Sequence, residues 1–114
     1  MKRLIAGDKD SADAIRREIF ILKEASGHPN VLQFCQAACE QQPNGRTEFL
    51  ILTELCSGGP LLDRLRARGT PLEFCEVLPL FYQICCAVDH LHSHKPPIIH
   101  RDLKATFQYI NSSK

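Results

Sequence analysis

Residues 95–104 read Lys-Pro-Pro-Ile-Ile-His-Arg-Asp-Leu-Lys, and the rest of the chain is best understood outward from them. Pro96-Pro97 ends whatever helix comes before, because proline lacks an amide donor and biases its predecessor away from helical angles. Ile98-Ile99 then reads as a short apolar strand, and His100-Arg101-Asp102-Leu103-Lys104 as a polar loop that follows it. Upstream, a long helix is expected over about residues 73–94, where Val77, Phe81, Ile84, Val88 and Leu91 keep a spacing of three or four. Pro79 falls inside that pattern. An interior proline costs about 3 kcal/mol, so a kink or a later helix start is expected.

Further back, Leu61 to Arg68 predicts a short helix, and Ser57-Gly58-Gly59-Pro60 a flexible break between two lobes. Val31 to Ala38 and Glu48 to Leu55 predict two strands. Pro43, Asn44 and Gly45 supply turn chemistry between them, so the pair reads as an antiparallel hairpin with a long loop. The first ordered element is expected to be a helix starting near Ser11, a residue suited to cap the free amides of a first turn. Ile15, Ile19 and Leu22 give that helix one apolar stripe. Gly27 can take the left-handed conformation that ends it, and Pro29 prevents a restart.

Glu18 falls between Ile15 and Leu22, on the apolar stripe. A carboxylate buried there needs a cation, because an unpaired buried charge is very costly. Lys2, sixteen residues upstream, is the one nearby candidate with suitable spacing. The alternative is an edge glutamate that reaches water. Lys2 is nearly terminal and terminal residues fray, so a weak or absent contact is expected, with Glu18 free to turn to solvent.

Composition excludes several classes. The chain has 114 residues, 44% hydrophobic and 24% charged, as an ordinary globular domain does. A formal net charge of +1 gives no field to attract nucleic acid. The longest apolar runs, such as Phe49 to Leu52, are too short to span a bilayer, so no transmembrane segment is expected. No leader peptide is recognisable at the start. Cys35, Cys39, Cys56, Cys75, Cys85 and Cys86 form no CxxC pair and read as reduced, buried thiols. On a helix His90 and His94 would share a face, but no third ligand is evident, so no metal site is expected.

His100 to Lys104 matches the HRDL catalytic-loop signature of protein kinases. An aspartate beside the substrate hydroxyl accepts its proton and orients it, and a lysine two residues on neutralises charge on the migrating phosphoryl group. More widely, the chain resembles the Numb-associated kinase family, and most closely its cyclin-G-associated kinase branch. The matching segments are Met1 to Leu4, Gly27 to Asn30, Gln33 to Cys35, FLILTELC at 49–56, Phe81 to Gln83, and KPPIIHRDLK at 95–104.

The resemblance implies an incomplete protein-kinase-like α+β fold. Residues 1–56 would be part of the small lobe and hinge, with helix C and two to three strands. Residues 57–104 would be the first helices of the large lobe through the catalytic loop, and 105–114 a divergent tail. It also implies ATP and Mg2+ as cofactors of the intact family and clathrin adaptor-type proteins as substrates. The location implied is the cytoplasm, including perinuclear, Golgi and clathrin-coated vesicle membranes. Lys2 would hold the ATP phosphates with Glu18 as its partner. Thr53 would be the gatekeeper, and Glu54 to Cys56 the hinge offering backbone groups to adenine. Leu22, Phe34 and His100 would join the hydrophobic spine. Asp102 would be the catalytic base and Lys104 the phosphate-contacting lysine of a serine/threonine-type enzyme.

Departures from the pattern set a further expectation. No glycine-rich loop precedes Lys2 and no DFG segment follows. Phe107 stands where the family places a magnesium-binding asparagine, and a phenyl ring offers no oxygen. Residues 105–114 look like foreign sequence joined at Lys104, as an alternative exon or retained intron would give. The expected function is therefore a kinase fragment that is itself inactive. The alternative is a noncatalytic fragment that competes with the intact kinase for partners.

Overall fold

The computed structural model describes residues 1–101 and residue 103. The chain divides into two compact units, Met1–Glu54 and Leu55–Lys114. The first contains β1 (Lys2–Ala6), α1 (Lys9–Ala25), β2 (Phe34–Gln41) and β3 (Thr47–Thr53). The second contains α2 (Leu61–Arg68) and α3 (Phe74–His92). Together they give the incomplete α+β arrangement that the sequence leads one to expect.

In the first unit β3 is the central strand of an antiparallel sheet with order β1-β3-β2. Lys2 lies opposite Ile51, Leu4 opposite Phe49 and Ala6 opposite Thr47. On the other side Ala37 faces Ile51 and Cys39 faces Phe49. Side chains alternate along a strand, so these residues share one face of the sheet. Phe49 and Ile51 are each 1% exposed on that face. Ala6 and Ala12 complete the core around Phe49, and Leu4, Ile15 and Ile19 pack against it. Burying a Phe or Ile side chain is worth about 1.5–3 kcal/mol, so these two residues anchor α1 to the sheet.

β1 precedes the helix that was expected to be the first ordered element. The run Lys-Arg-Leu-Ile-Ala has no clear alternation, and its pairing with β3 is what makes it a strand. α1 begins at Lys9 rather than near Ser11, and its cap is Asp8. The Ser11 amide donates to Asp8 Oδ1 at 2.7 Å, and the Asp8 amide donates to Ser11 Oγ at 3.3 Å. Ser11 is thus the third helical residue of a reciprocal capping box. Its donors hold the Asp8 carboxyl below its ordinary value of 3.8. At the far end Gly27 has φ +100, the conformation expected of it.

β2 starts at Phe34 rather than Val31, because residues 28–33 form a hydrogen-bonded loop. A bulge interrupts its register between Phe34 and Gln36. The expected hairpin is present. The Gln42 amide donates to the Arg46 carbonyl at 2.8 Å, the Gly45 amide donates to the Gln42 carbonyl at 3.0 Å, and Gly45 has φ +81.

In the second unit α2 has the expected bounds and closes at Gly69 with φ +69. α3 starts at Phe74, so Pro79 does not delay it and lies inside the helix. The Glu73 amide is satisfied by Glu76 Oε2 at 2.9 Å. α3 ends at His92, which leaves His94 outside the helix and removes the supposed pairing of His90 and His94 on one face. The expected strand at Ile98-Ile99 is not formed. The Ile98 amide donates instead to the Leu91 carbonyl at 2.9 Å. The cysteines are also corrected: Cys35, Cys39, Cys75 and Cys85 are exposed, and Cys56 and Cys86 only half-buried. Cys35 sits at the bulge of an edge strand, and Cys75 and Cys85 on a helix with few neighbours, so none of the described residues covers them.

Candidate active site

The β1–β3 register sets the geometry of the first site residue. Lys2, opposite Ile51, is on the same face as Phe49 and therefore points to the side that α1 covers. Its Nζ meets Glu18 Oε1 at 2.8 Å. This formed ion pair overturns the expectation of a frayed contact. The reason is that β1 is paired to β3 from Lys2 onward, so the lysine backbone is part of a sheet and not a loose end. The burial expected for Glu18 is corrected as well. Its side chain is 48% exposed and that of Lys2 57%. A surface pair of this kind is worth at most about 1 kcal/mol, so it orients the two groups more than it stabilises the fold.

Thr53 ends β3, is half-buried, and donates through its hydroxyl to the Glu54 carbonyl at 3.3 Å. Glu54 is tied to Gln33 twice. Its amide donates to the Gln33 carbonyl at 3.0 Å, and its Oε1 accepts from the Gln33 amide at 3.0 Å. Leu22 and Phe34 are half-buried in the same unit. In the second unit the half-buried Cys56 accepts from the Gly59 amide at 3.2 Å, which closes the turn over residues 56–59. His100 is exposed. Asp102, Lys104 and Phe107 lie outside the described residues.

Arg101 has φ +64, the left-handed region, at a residue that is not glycine. That conformation costs roughly 1–2 kcal/mol, and such strain concentrates at functional sites. It occurs here next to the aspartate that the HRDL signature marks. Among the described residues no group of three His, Cys, Asp or Glu side chains is placed to hold a metal.

The first unit also holds contacts that the sequence reading did not single out. Arg3 pairs with Glu48 across the sheet face away from α1, and Gln42 donates to the second Glu48 oxygen at 3.0 Å. The hydrogen bond from Arg3 and its charge hold the Glu48 carboxyl below its ordinary value of 4.5. The Arg16 guanidinium lies 5.6 Å from the centre of the Phe49 ring, beside its ion pair with Asp13 at 2.8 Å. Two shallow grooves flank β2 and β3, and neither is lined by Lys2, Glu18, Thr53 or Glu54.

Comparison with known proteins gives this geometry a family. The protein kinase domain family matches residues 1–107. A probable serine/threonine-protein kinase of Dictyostelium discoideum is 37% identical over 107 residues, covering 91% of this chain and 13% of its own length. A second from that organism is 36% identical over 107 residues, again 91% of this chain and 9% of its own length. The serine/threonine-protein kinase AKL1 of Saccharomyces cerevisiae is 29% identical over 107 residues, 91% of this chain and 10% of that protein. The chain thus spans only 9% to 13% of the length of these relatives. By length and composition α3 would also suffice to cross a bilayer. The kinase match covers it in full, and Glu76 and Asp89 place two acidic residues within it. The chain belongs to the protein kinase domain family, and residues 1–107 are a fragment of such a domain of the serine/threonine kind.

Proposed function

We propose that this chain carries the phosphate-gripping and proton-accepting parts of a serine/threonine kinase of the Numb-associated type, and that the 114-residue chain itself has no turnover. The observation that carries the first half is the 2.8 Å pair between Lys2 and Glu18. It joins two elements in the way a kinase needs to aim a lysine at nucleotide phosphates. Thr53, Glu54 and Cys56 border adenine in this reading. In the reaction, a substrate serine or threonine oxygen attacks the γ-phosphorus of ATP. The bond from that phosphorus to the β–γ bridging oxygen breaks, ADP leaves, and Asp102 takes the hydroxyl proton. Lys104 offsets charge on the transferred group. KPPIIHRDLK and FLILTELC support the Numb-associated assignment, and with it clathrin adaptor-type substrates at cytoplasmic membranes.

The second half rests on Phe107. Magnesium, when bound, screens the phosphate charge and demands oxygen ligands, and a phenyl ring at that place does not fit it. Purified chain with MgATP and an adaptor-derived threonine peptide is expected to show no phosphotransfer above background. Turnover abolished by Asp102→Asn would overturn this. A second reading, an interaction fragment that competes with an intact kinase for partners, is favoured by the exposure of Phe74, Phe81 and Tyr82 on α3. Capture of adaptor proteins by the wild-type chain, lost when these three residues become serine, is its test.

A further inference from the structure

Gln33 lies between Leu32 and Phe34 in the connection from α1 to β2, and every polar atom it owns is engaged. Its side-chain oxygen accepts from the Ser26 hydroxyl at 3.2 Å and the Gly27 amide at 3.1 Å. Its side-chain nitrogen donates to the carbonyls of His28 at 2.8 Å and Val31 at 3.0 Å. Its backbone amide and carbonyl make the two 3.0 Å bonds to Glu54. The Ser26 hydroxyl, in turn, accepts from the Phe34 amide at 2.9 Å. All of these residues lie within the unit Met1–Glu54.

The chemistry requires a carboxamide of this length. A carboxamide offers two donors and two acceptor sites, and here both ends are used. Glutamate would set a carboxylate against two carbonyls, and leucine would leave the Gly27 amide and two carbonyls without this partner. Asparagine is one methylene shorter and cannot span the same atoms. A part-buried side chain saturated in this way fixes the backbone on either side of it. On one side is the C-terminal end of α1, the helix that carries Glu18. On the other is Glu54, held by both its amide and its carboxylate.

We propose that Gln33 is a positioning residue that ties the end of α1 to Glu54, so that helix and segment respond together to a nucleotide. The effect on nucleotide rests on the reading of Glu54 as part of the adenine border; the tie itself does not. If adenine draws on the backbone orientation that Gln33 holds, binding and the tie strengthen each other by the same factor.

The test uses the 114-residue chain, amide hydrogen exchange and a fluorescent N-methylanthraniloyl ATP analogue. Gln33→Glu is expected to speed exchange at the Glu54 amide by about tenfold or more, although that amide's own acceptor is the unaltered residue-33 carbonyl. Amides of the β3 core should change by less than about twofold. The analogue's Kd should rise by about tenfold with the same variant. Should Gln33→Glu open β3 as well, Ser26→Ala is read by the same criterion, with a smaller acceleration expected at Glu54. Acceleration confined to Gly27, with Glu54 unchanged, overturns the tie. Accelerated Glu54 exchange with unchanged Kd overturns its link to nucleotide. A wild-type chain with no saturable analogue binding removes the ATP-site reading and that link together, while the exchange result still decides the tie.

Discussion

Phe49 and Phe81 are both large aromatic residues set in strongly apolar runs, yet Phe49 is 1% exposed and Phe81 61%. The difference is one of partners. In the first unit β1 and β2 flank β3 on both edges and α1 covers one face, so an inward-facing side chain on β3 meets neighbours on three sides. In the second unit the stripe of α3 is covered only toward its end. Leu91 is 9% exposed, Ile84 and Val88 are half-buried, and Val77, Leu78, Phe81 and Tyr82 stand open. A regular apolar spacing says which side chains will share a face. It does not say whether anything lies against that face.

The largest expected effect tests this contrast directly. An exposed apolar patch of this kind drives association, so the chain should sediment as assemblies in reducing buffer. It should give a helical far-UV circular dichroism spectrum in which only the first unit, with Phe49 and Ile51 buried, melts sharply. Replacing Phe74, Phe81 and Tyr82 together by serine should shift it toward monomer. A monodisperse wild-type monomer in which α3 melts as sharply as β3 would break the comparison.

Next in size, Phe49→Ala should destabilise the first unit by about 3–5 kcal/mol, while Phe81→Ala should leave it unchanged. Hydrogen exchange at β3 amides measures both, and equal effects would refute the partition into covered and uncovered aromatics. A smaller effect is expected at the α1 cap. Asp8→Ala removes an acceptor and should lower helical content more than Ser11→Ala does. The Asp8 carboxyl is held below its ordinary value of 3.8 mainly by hydrogen bonds from Ser11. A carboxylate depressed in the folded state contributes stability that is present above its unfolded value. The contribution is lost as pH falls from there through the folded value, so the difference between wild type and Asp8→Asn should shrink below about pH 4. A difference that grows on acidification would be inconsistent with this cap.

The smallest effect concerns Lys2 and Glu18. Glu18→Gln should cost no more than about 1 kcal/mol, and less in high salt, because both side chains are about half exposed. Thermal or urea shifts larger than that would mean that the pair is sheltered by something other than the described residues. Phosphate-analogue binding, by contrast, should respond to this substitution well beyond its effect on stability, because the pair orients the lysine.

Much of the local structure was legible beforehand, for reasons confined to a few neighbouring residues. α2 ends at a left-handed glycine, the β2–β3 turn uses Asn44 and Gly45, and the stripe of α1 follows the spacing of Ile15, Ile19 and Leu22. The HRDL signature and the segments around it pointed to a kinase domain, and the match over residues 1–107 bears that out. Other readings failed, two because a strand depends on a partner to pair with and one because a nearer acceptor caps the helix. β1 was not singled out, Ser11 was taken for a cap that Asp8 provides, and a strand was expected at Ile98-Ile99 where none of the described residues pairs with it.

What the amino-acid sequence determined by itself was whatever depends on torsional preference and short spacing: where helices stop, where a turn forms, which side chains share a face, and which catalytic signature is present. Only the tertiary structure decided which faces are covered. It also decided that Lys2 reaches Glu18, and that Gln33 joins the end of α1 to Glu54. Those contacts join residues six to twenty-one positions apart. Their geometry comes from a strand register and a loop path, and each is set by the packing of whole elements rather than by the residues that make the contact.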